Sequence, residues 1–414
     1  MSGLQPVRGT HDLLPDDMRR FRRVADTCGR AALCFGYQEV ATPIFEFTEV
    51  FKRTLGDTSD VVTKEMYTFT DKGGETVTLR PEGTAGVARA LISGGLSQHL
   101  PLKYFYVGPM FRYERPQKGR LRQFHQTGVE LLGVKEPAGD VEVIAIGVEF
   151  LRRIGAWDRC ELELNTLGDA ASRQAYRQVL ISYLNGFRDQ LSKESLERLE
   201  KNPLRVLDSK DENDQKIVAN APIYTDYLTP EATAFFAEVK AGLDALGIAY
   251  RINPRLVRGL DYYCHTCFEI TCPELGAQKT VLAGGRYDGL VGLMGGPETA
   301  GVGWASGVER CAMLLAETPR APRPIAIVPL GEAAEHTATI LAGRLRRQDF
   351  IVDLGFSGNM GKRMKRANKI DAVAAVILGD DELARGEAGL KLLDSGEQKT
   401  VRLDELEAAL AAYR

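Results

Sequence analysis

From Pro15 to Phe35 the apolar residues Met18, Phe21, Val24, Cys28, Ala31 and Phe35 recur at intervals of three and four, and Gly36 follows. That spacing predicts an amphipathic helix with a glycine stop. The next run, Tyr37 to Phe47, is rich in β-formers but broken by Pro43, which predicts a sheet edge or an irregular join. Thr76 to Arg80 reads as a short strand, and Pro81 suits the opening of the helix whose apolar positions follow it. Two alternating runs, Phe105 to Glu114 and Leu121 to Val129, flank the tip Pro116-Gln117-Lys118-Gly119-Arg120, the pattern of an antiparallel pair with a longer basic loop. A helix over Gly139 to Ile154 and a strand over Cys160 to Leu164 come next. From Ala170 to about Tyr250, charged helix-forming segments such as Leu191 to Lys201 are separated by Pro203, Pro222 and Pro230, which reads as a helical insertion with a solvated face. Strand character returns over Arg255 to Ile270, where Gly259 breaks the run and re-aims Arg258.

The proline-rich Thr318 to Pro324 is the clearest domain boundary. Beyond it, strands at Ile325 to Leu330, Ile351 to Leu354 and Ala372 to Leu378 alternate with helices at Glu332 to Arg347 and Asn359 to Lys369. Two more strands, joined through Asp394-Ser395-Gly396, and a helix from Asp404 complete a small α/β sheet domain. On the Asn359 helix, Met360, Met364 and Ala367 make an inward stripe, while Lys362, Arg363, Lys365, Arg366 and Lys369 crowd the rest. Such a run is either a solvated face or a phosphate-binding site. The expected fold class is α+β, with domains over 1–320 (insertion about 170–250) and 325–414.

With 44% hydrophobic and 26% charged residues the chain is an ordinary globular one, and its net charge of −3 leaves any nucleic-acid contact to local basic patches. The start MSGLQPVRGT has no signal-peptide core, and the longest apolar run, Ala372 to Leu378, is too short to span a bilayer, so a cytosolic protein without membrane contact is expected. An odd number of cysteines, 7, does not read as a disulfide framework. Cys264, His265, Cys267 and Cys272 lack a second paired cluster, so no protein-held metal is expected.

On the hairpin, alternation sets Arg112 with Glu114 on one face and Phe124 with Gln126 on one face of the partner strand. Guanidinium, carboxylate, aromatic plane and amide together suit an adenine nucleotide, although an ordinary amphipathic hairpin shares the spacing. Arg115, Gln117, Lys118, Arg120 and Arg122 at the tip are left to meet another anion. Glu82 and Thr84 fall at a helix start beside the sheet, where a carboxylate either caps the helix or receives a cation.

The hairpin residues Gly108 to Glu130 (GPMFRYERPQKGRLRQFHQTGVE) resemble the second signature motif of the class II aminoacyl-tRNA synthetases, in detail that of the histidyl-tRNA synthetases. Thr42 to Glu46 resembles the first motif and Gly301 to Arg310 (GVGWASGVER) the third. LVRGLDYY at Leu256 to Tyr263 and AGGRYDG at Ala283 to Gly289 resemble the two histidine-specific motifs. GVGWASGVER is not a dinucleotide fingerprint, since its glycine spacing is wrong and no βαβ unit follows. The resemblance implies a class II antiparallel-sheet catalytic domain with a helical insertion and a C-terminal anticodon-binding α/β domain. It implies an ATP-dependent histidine–tRNA ligase forming histidyl-adenylate and then aminoacyl-tRNA, working in the cytoplasm as a homodimer on L-histidine, ATP with Mg2+, and tRNA(His).

Residue by residue, the resemblance gives the α-ammonium to Glu82 and Thr84, with Gln126 and Glu130 completing the histidine pocket and Tyr263 and Tyr287 beside the ring. Turns at the AGGRYDG glycines would bring Tyr287 close. Arg112, Glu114, Phe124, Arg258 and Arg310 would hold ATP, with Arg258 and Arg112 catalytic. Arg115, Gln117, Lys118 and Arg120, with Lys362, Arg363, Lys365 and Arg366, would meet tRNA. Two other readings are a histidine-binding regulatory paralogue without catalysis, which would tend to lose the catalytic arginine or the last domain, and a free-standing small-amide ligase, which would not need that domain.

Overall fold

The computed structural model describes residues 4–55, 61–117, 119–257 and 262–414. The chain divides into two compact units, Met1–Pro319 and Arg320–Arg414.

In the first unit, helix α1 (Pro15–Cys34) forms where the apolar spacing places it and buries Val24, Cys28, Ala31 and Ala32. Pro15 sits in its first turn, where a missing N–H costs nothing, with Asp16 and Asp17 at the positive end of the dipole. Pro43 then separates two sheets, because it has no N–H to give to either ladder. Before it, β1 (Gln38–Glu39) is a parallel edge of the large sheet; after it, β2 (Phe45–Phe47) joins β4 (Thr76–Leu79) and β3 (Tyr67–Thr70) in a small antiparallel sheet. Helix α2 (Thr48–Leu55) follows β2, and α3 (Thr84–Ser93) follows β4.

Helix α3 opens at Thr84 and not at Pro81, because the Glu82 carboxylate accepts from the backbone N–H groups of Thr84 (2.6 Å) and Ala85 (2.8 Å). Those two donors would otherwise be orphaned at the helix start.

Among the described residues the large sheet has eight strands in the order β1-β5-β6-β11-β10-β9-β7-β8. They are β5 (Leu102–Phe111), β6 (Gln123–Leu132), β7 (Glu161–Thr166), β8 (Arg251–Ile252), β9 (Cys264–Thr271), β10 (Thr280–Arg286) and β11 (Gly301–Gly307). The interior pairs are antiparallel and only the edges are parallel. Helix α4 (Pro137–Arg153) joins α1 in one core with the sheet, and the Trp304 indole donates to Val143 O at 2.9 Å.

The hairpin strands lie further from the tip than alternation predicts. After the last rung, Arg112 N–H to Arg122 O at 2.9 Å, Tyr113 N–H turns to Glu65 O, so Arg112 and Glu114 lie beyond the strand. The glycines expected to make turns at 283–289 also differ, since Gly284 and Gly285 lie inside β10. A Cβ on Gly284 would come 2.2 Å from Gly303 O, and one on Gly285 2.5 Å from Thr266 O. Close approach of neighbouring strands is the reason for both glycines.

The segment after β7 carries α5 (Ala170–Asn185), α6 (Lys193–Lys201), α7 (Glu212–Ala219) and α8 (Pro230–Ala245). Buried Asp214 ties it together, accepting from the hydroxyls of Ser192, Ser195 and Ser209 at 2.6–2.7 Å. Helix α8 instead sends Phe236, Val239 and Leu243 into the core of the large sheet. The short α9 (Leu290–Leu293) and α10 (Val308–Met313) complete the unit.

The second unit is a five-stranded sheet, β13-β12-β14-β15-β16, parallel across its first three strands and antiparallel after them. In chain order it runs β12 (Ile325–Leu330), α11 (Glu332–Arg346), β13 (Val352–Leu354), α12 (Met360–Lys369), β14 (Ala374–Gly379), α13 (Asp380–Ala384), β15 (Glu387–Leu392), β16 (Gln398–Arg402) and α14 (Leu406–Ala409). Helix α13 is too short to show a period in sequence. The apolar stripe of α12 is narrower than expected: Ala367 is buried and Met364 half-buried, but Met360 is 45% exposed. Among the described residues no helix is long and apolar enough to cross a membrane.

Gly284→Ala should force β10 and β11 apart and lower stability by roughly 1–3 kcal/mol, the usual cost of overpacking. Chemical denaturation of the variant checks this, and an unchanged midpoint would contradict it.

Candidate active site

A cavity of about 250 Å³ opens over β6, β9, β10 and β11. Its walls bring together Glu82, Thr84, Arg112, Glu114, Arg120, Phe124, Gln126, Tyr263 and Arg310. Separate stretches converge there: the α3 start, the hairpin, Tyr262 and Tyr263 before β9, the strands β9 and β10, and the turn from β11 into α10. Arg258 and Lys118 lie outside the described residues.

At one end the site is dry and acidic. Glu130 is fully buried in β6, accepts from Thr84 Oγ1 at 2.6 Å, and takes a short hydrogen bond from the Tyr287 hydroxyl. Burial outweighs those two bonds and pushes the Glu130 carboxyl up to about 8, with nearby Glu82 adding repulsion. Burial also raises Glu82, against the two backbone N–H groups it accepts. Glu130 and Tyr287 are therefore a floor beneath the described walls, braced from below. Gly303 makes room for that floor, since a Cβ there would meet Glu130 Oε2 at 1.9 Å. Gln126 Oε1 is buried without a hydrogen-bond partner among the described residues.

At the other end the site is cationic. The Arg112 guanidinium lies 5.3 Å from the centroid of the Phe124 ring and donates to Pro81 O at 2.9 Å. Arg310 donates to Gly119 O (3.0 Å) and Thr280 O (2.9 Å), two fixed carbonyls that hold its plane in the wall. Burial first, then the neighbouring Arg120 guanidinium, lowers the Arg310 pKa. An anion bound there would relieve both.

Several tip and helix cations do not stand free as the sequence reading expects. Arg120 turns inward and pairs with Glu114 at 3.1 Å, because the loop folds back over its own carboxylate. Arg122 stacks on Tyr113, 3.9 Å from the ring centroid. Arg363 is buried and donates to Gly355 O, Gly358 O and Glu335 at 2.6–2.7 Å, so it braces a loop and presents no charge to solvent. Arg366 makes a paired contact with Asp353. Arg115, Gln117, Lys362, Lys365 and Lys369 remain exposed.

Sequence reasoning missed Tyr262, Glu269 and Glu309 on the walls. Glu269 had a signal, as a lone charge inside the apolar run of β9 opposite the wall residue Ala283. The buried Arg286–Asp140 pair had none, since its members lie 146 residues apart. That pair, with Asp288 bonded to both Arg286 and Gly301 N–H, fixes the backbone on either side of Tyr287. Among the described residues no three His, Cys, Asp or Glu side chains are grouped to hold a metal ion.

The family model described as histidyl-tRNA synthetase matches residues 9–311, and that of the anticodon binding domain matches 324–413. The chain is similar to the histidine–tRNA ligase of Rhodospirillum rubrum, 61% identical over the whole of both chains. It is 56% identical to that of Gluconacetobacter diazotrophicus over 99% of each. Its fold superposes on the crystal structure of apo S. aureus histidyl-tRNA synthetase with a TM-score of 0.84, at 34% identity over 98% of this chain and 99% of that one.

A carboxyl raised by burial contributes stability that is fully present below its unfolded value, near 4.5, and is lost as pH rises through its folded value of about 8. The stability difference between the native protein and Glu130→Gln should therefore shift against the native protein by up to about 1.4 kcal/mol per pH unit inside that window. Denaturation curves measured across it check the slope; a pH-independent difference would mean that Glu130 is ionised in its pocket.

Proposed function

The chain belongs to the histidyl-tRNA synthetase family, and we propose that the cavity between the α3 start, the hairpin and α10 is where it activates histidine. It is a histidine–tRNA ligase. An oxygen of the histidine carboxylate attacks the α-phosphorus of ATP, the bond to the β-phosphate oxygen breaks, and pyrophosphate leaves. A hydroxyl at the tRNA 3′ end then attacks the carbonyl of histidyl-adenylate and AMP departs.

In our reading Glu82 and Gln126 take the α-ammonium, with Thr84 at the same helix start. The observation that carries this is that the buried Gln126 Oε1, without a hydrogen-bond partner among the described residues, lines one cavity with the buried Glu82 carboxyl: acceptors of that kind are costly until a cation fills the space between them. Tyr263 flanks the imidazole, and Glu130 with Tyr287 supports that end from below. Phe124 and Arg310 bracket the adenine, Glu114 accepts from its amino group, and Arg112 and Arg258 meet the α-phosphate. Both arginines would stabilise charge that grows on phosphorus oxygens during the attack. No side chain becomes a covalent nucleophile, so positioning and charge supply the rate. Mg2+ arriving on the ATP phosphates would neutralise part of their charge, and Glu269 on the cavity wall is a hard oxygen donor of the type it takes.

Exposed Arg115 and Gln117 on the hairpin, and Lys362 and Lys365 on α12, are the residues we assign to tRNA; Arg363 is not among them. A two-fold dimer is supported by the run from Leu33 to Phe47, where Leu33, Ile44, Phe45 and Phe47 expose 43–59% of their surface. Free thiols at every cysteine suit the reducing cytoplasm.

A chain ended after Pro319 retains every residue assigned to adenylate chemistry and should still exchange pyrophosphate with histidine. Its tRNA binding should lose salt dependence by roughly one unit of log–log slope per phosphate contact removed. Unchanged tRNA affinity and slope would show that the last unit does not bind RNA.

A further inference from the structure

Strand β11 pairs with β6 only as far as Gly307 opposite Gln126, after which the chain turns into α10. The next residue of β6, His125, therefore loses its strand partner on that side. Glu309 replaces it. Both oxygens of its carboxylate lie 3.0 Å from His125 N, and one lies 2.7 Å from the ring Nδ1. With the carboxylate as acceptor, Nδ1 is the ring's donor in this pair. The ring is held from its other side by the Phe21 ring of α1, edge to face at 4.8 Å.

His125 is the neighbour of Phe124, and Glu309 is the neighbour of Arg310; Phe124 and Arg310 line one cavity, whose walls do not include His125. The geometry points to the His125–Glu309 pair as a clamp that sets the spacing between Phe124 and Arg310 and hence the grip on the purine base of ATP. His125 is a positioning residue for the base alone, acting without touching substrate. The inference rests on the assignment of Phe124 and Arg310 to adenine made above.

The test is pyrophosphate exchange by the full-length protein, with KM measured separately for ATP, histidine and pyrophosphate. His125→Ala removes the ring donor and should raise KM for ATP by about tenfold or more, the worth of one hydrogen bond to a charged group, while the other two constants stay within about twofold. His125→Asn returns an N–H near the position of Nδ1 and should recover most of that loss. A merely structural role would move the three constants together. Glu309→Gln, which keeps one acceptor for His125 N, should show the same selectivity to a smaller degree; because Glu309 itself lines the cavity, His125→Gln, which keeps the site free of that wall change, serves if His125→Ala does not fold. The clamp is overturned if the constants shift in parallel, if Asn is no better than Ala, or if ATP is unaffected. Phe124→Ala is run alongside. If it leaves KM for ATP unchanged, the base assignment itself is wrong; if it raises that KM while His125→Ala does not, only the clamp is lost.

Discussion

A buried carboxyl group needs partners and room, and Glu130 obtains them from three distant parts of the chain. Thr84 comes from the start of α3, Tyr287 from the end of β10, and Gly303 of β11 leaves space for the oxygen. Removing any one exposes or crowds a group that costs several kcal/mol to bury alone. In the same sheet β9, β10 and β11 approach closely at Gly284 and Gly285, and the buried Arg286–Asp140 pair, with Asp288, fixes the backbone around Tyr287. A site built this way is largely pre-formed, and pre-formed acceptors bind with less ordering cost.

The cationic end follows a different rule. Arg112, Arg120 and Arg310 line one wall, each held by a ring, a carboxylate or backbone carbonyls. Their mutual repulsion is tolerated because their heads are fixed, and a bound anion would relieve it. On the proposed assignment histidine would meet acceptors and ATP donors, the two ends sharing one cavity in which carboxylate and phosphate would come together. Attack at phosphorus then needs orientation more than activation.

Elements whose signal is local were legible in the sequence. The period of α1, the pairing of the two hairpin strands, the proline linker and the order of the strands in the last unit appear as the pattern puts them, while the hairpin strands end short of Arg112 and α13 is not signalled. The resemblance named Glu82, Thr84, Arg112, Glu114, Phe124, Gln126, Tyr263 and Arg310 of the walls because its motifs carry them, and passed over Tyr262, Glu269 and Glu309. What escaped depends on chain folding back from a distance. Arg363 looks like a surface cation until the loop at Gly355 and Gly358 closes over it. Arg120 looks like a free tip until it meets Glu114. Arg286 and Asp140, far apart in sequence, leave no mark on either neighbourhood. The start of α3 was misplaced because Pro81 is a favourable first residue, and the cap that overrides it is a side chain, Glu82, whose orientation periodicity does not reveal.

The central claim is that a pocket of buried, pre-placed acceptors recognises histidine and no other amino acid. Pyrophosphate exchange, run with each of the standard amino acids in turn, tests it most directly. Other side chains leave buried polar groups unpaired, so exchange should depend on histidine by a margin of roughly four orders of magnitude. Comparable exchange with any second amino acid would contradict the account.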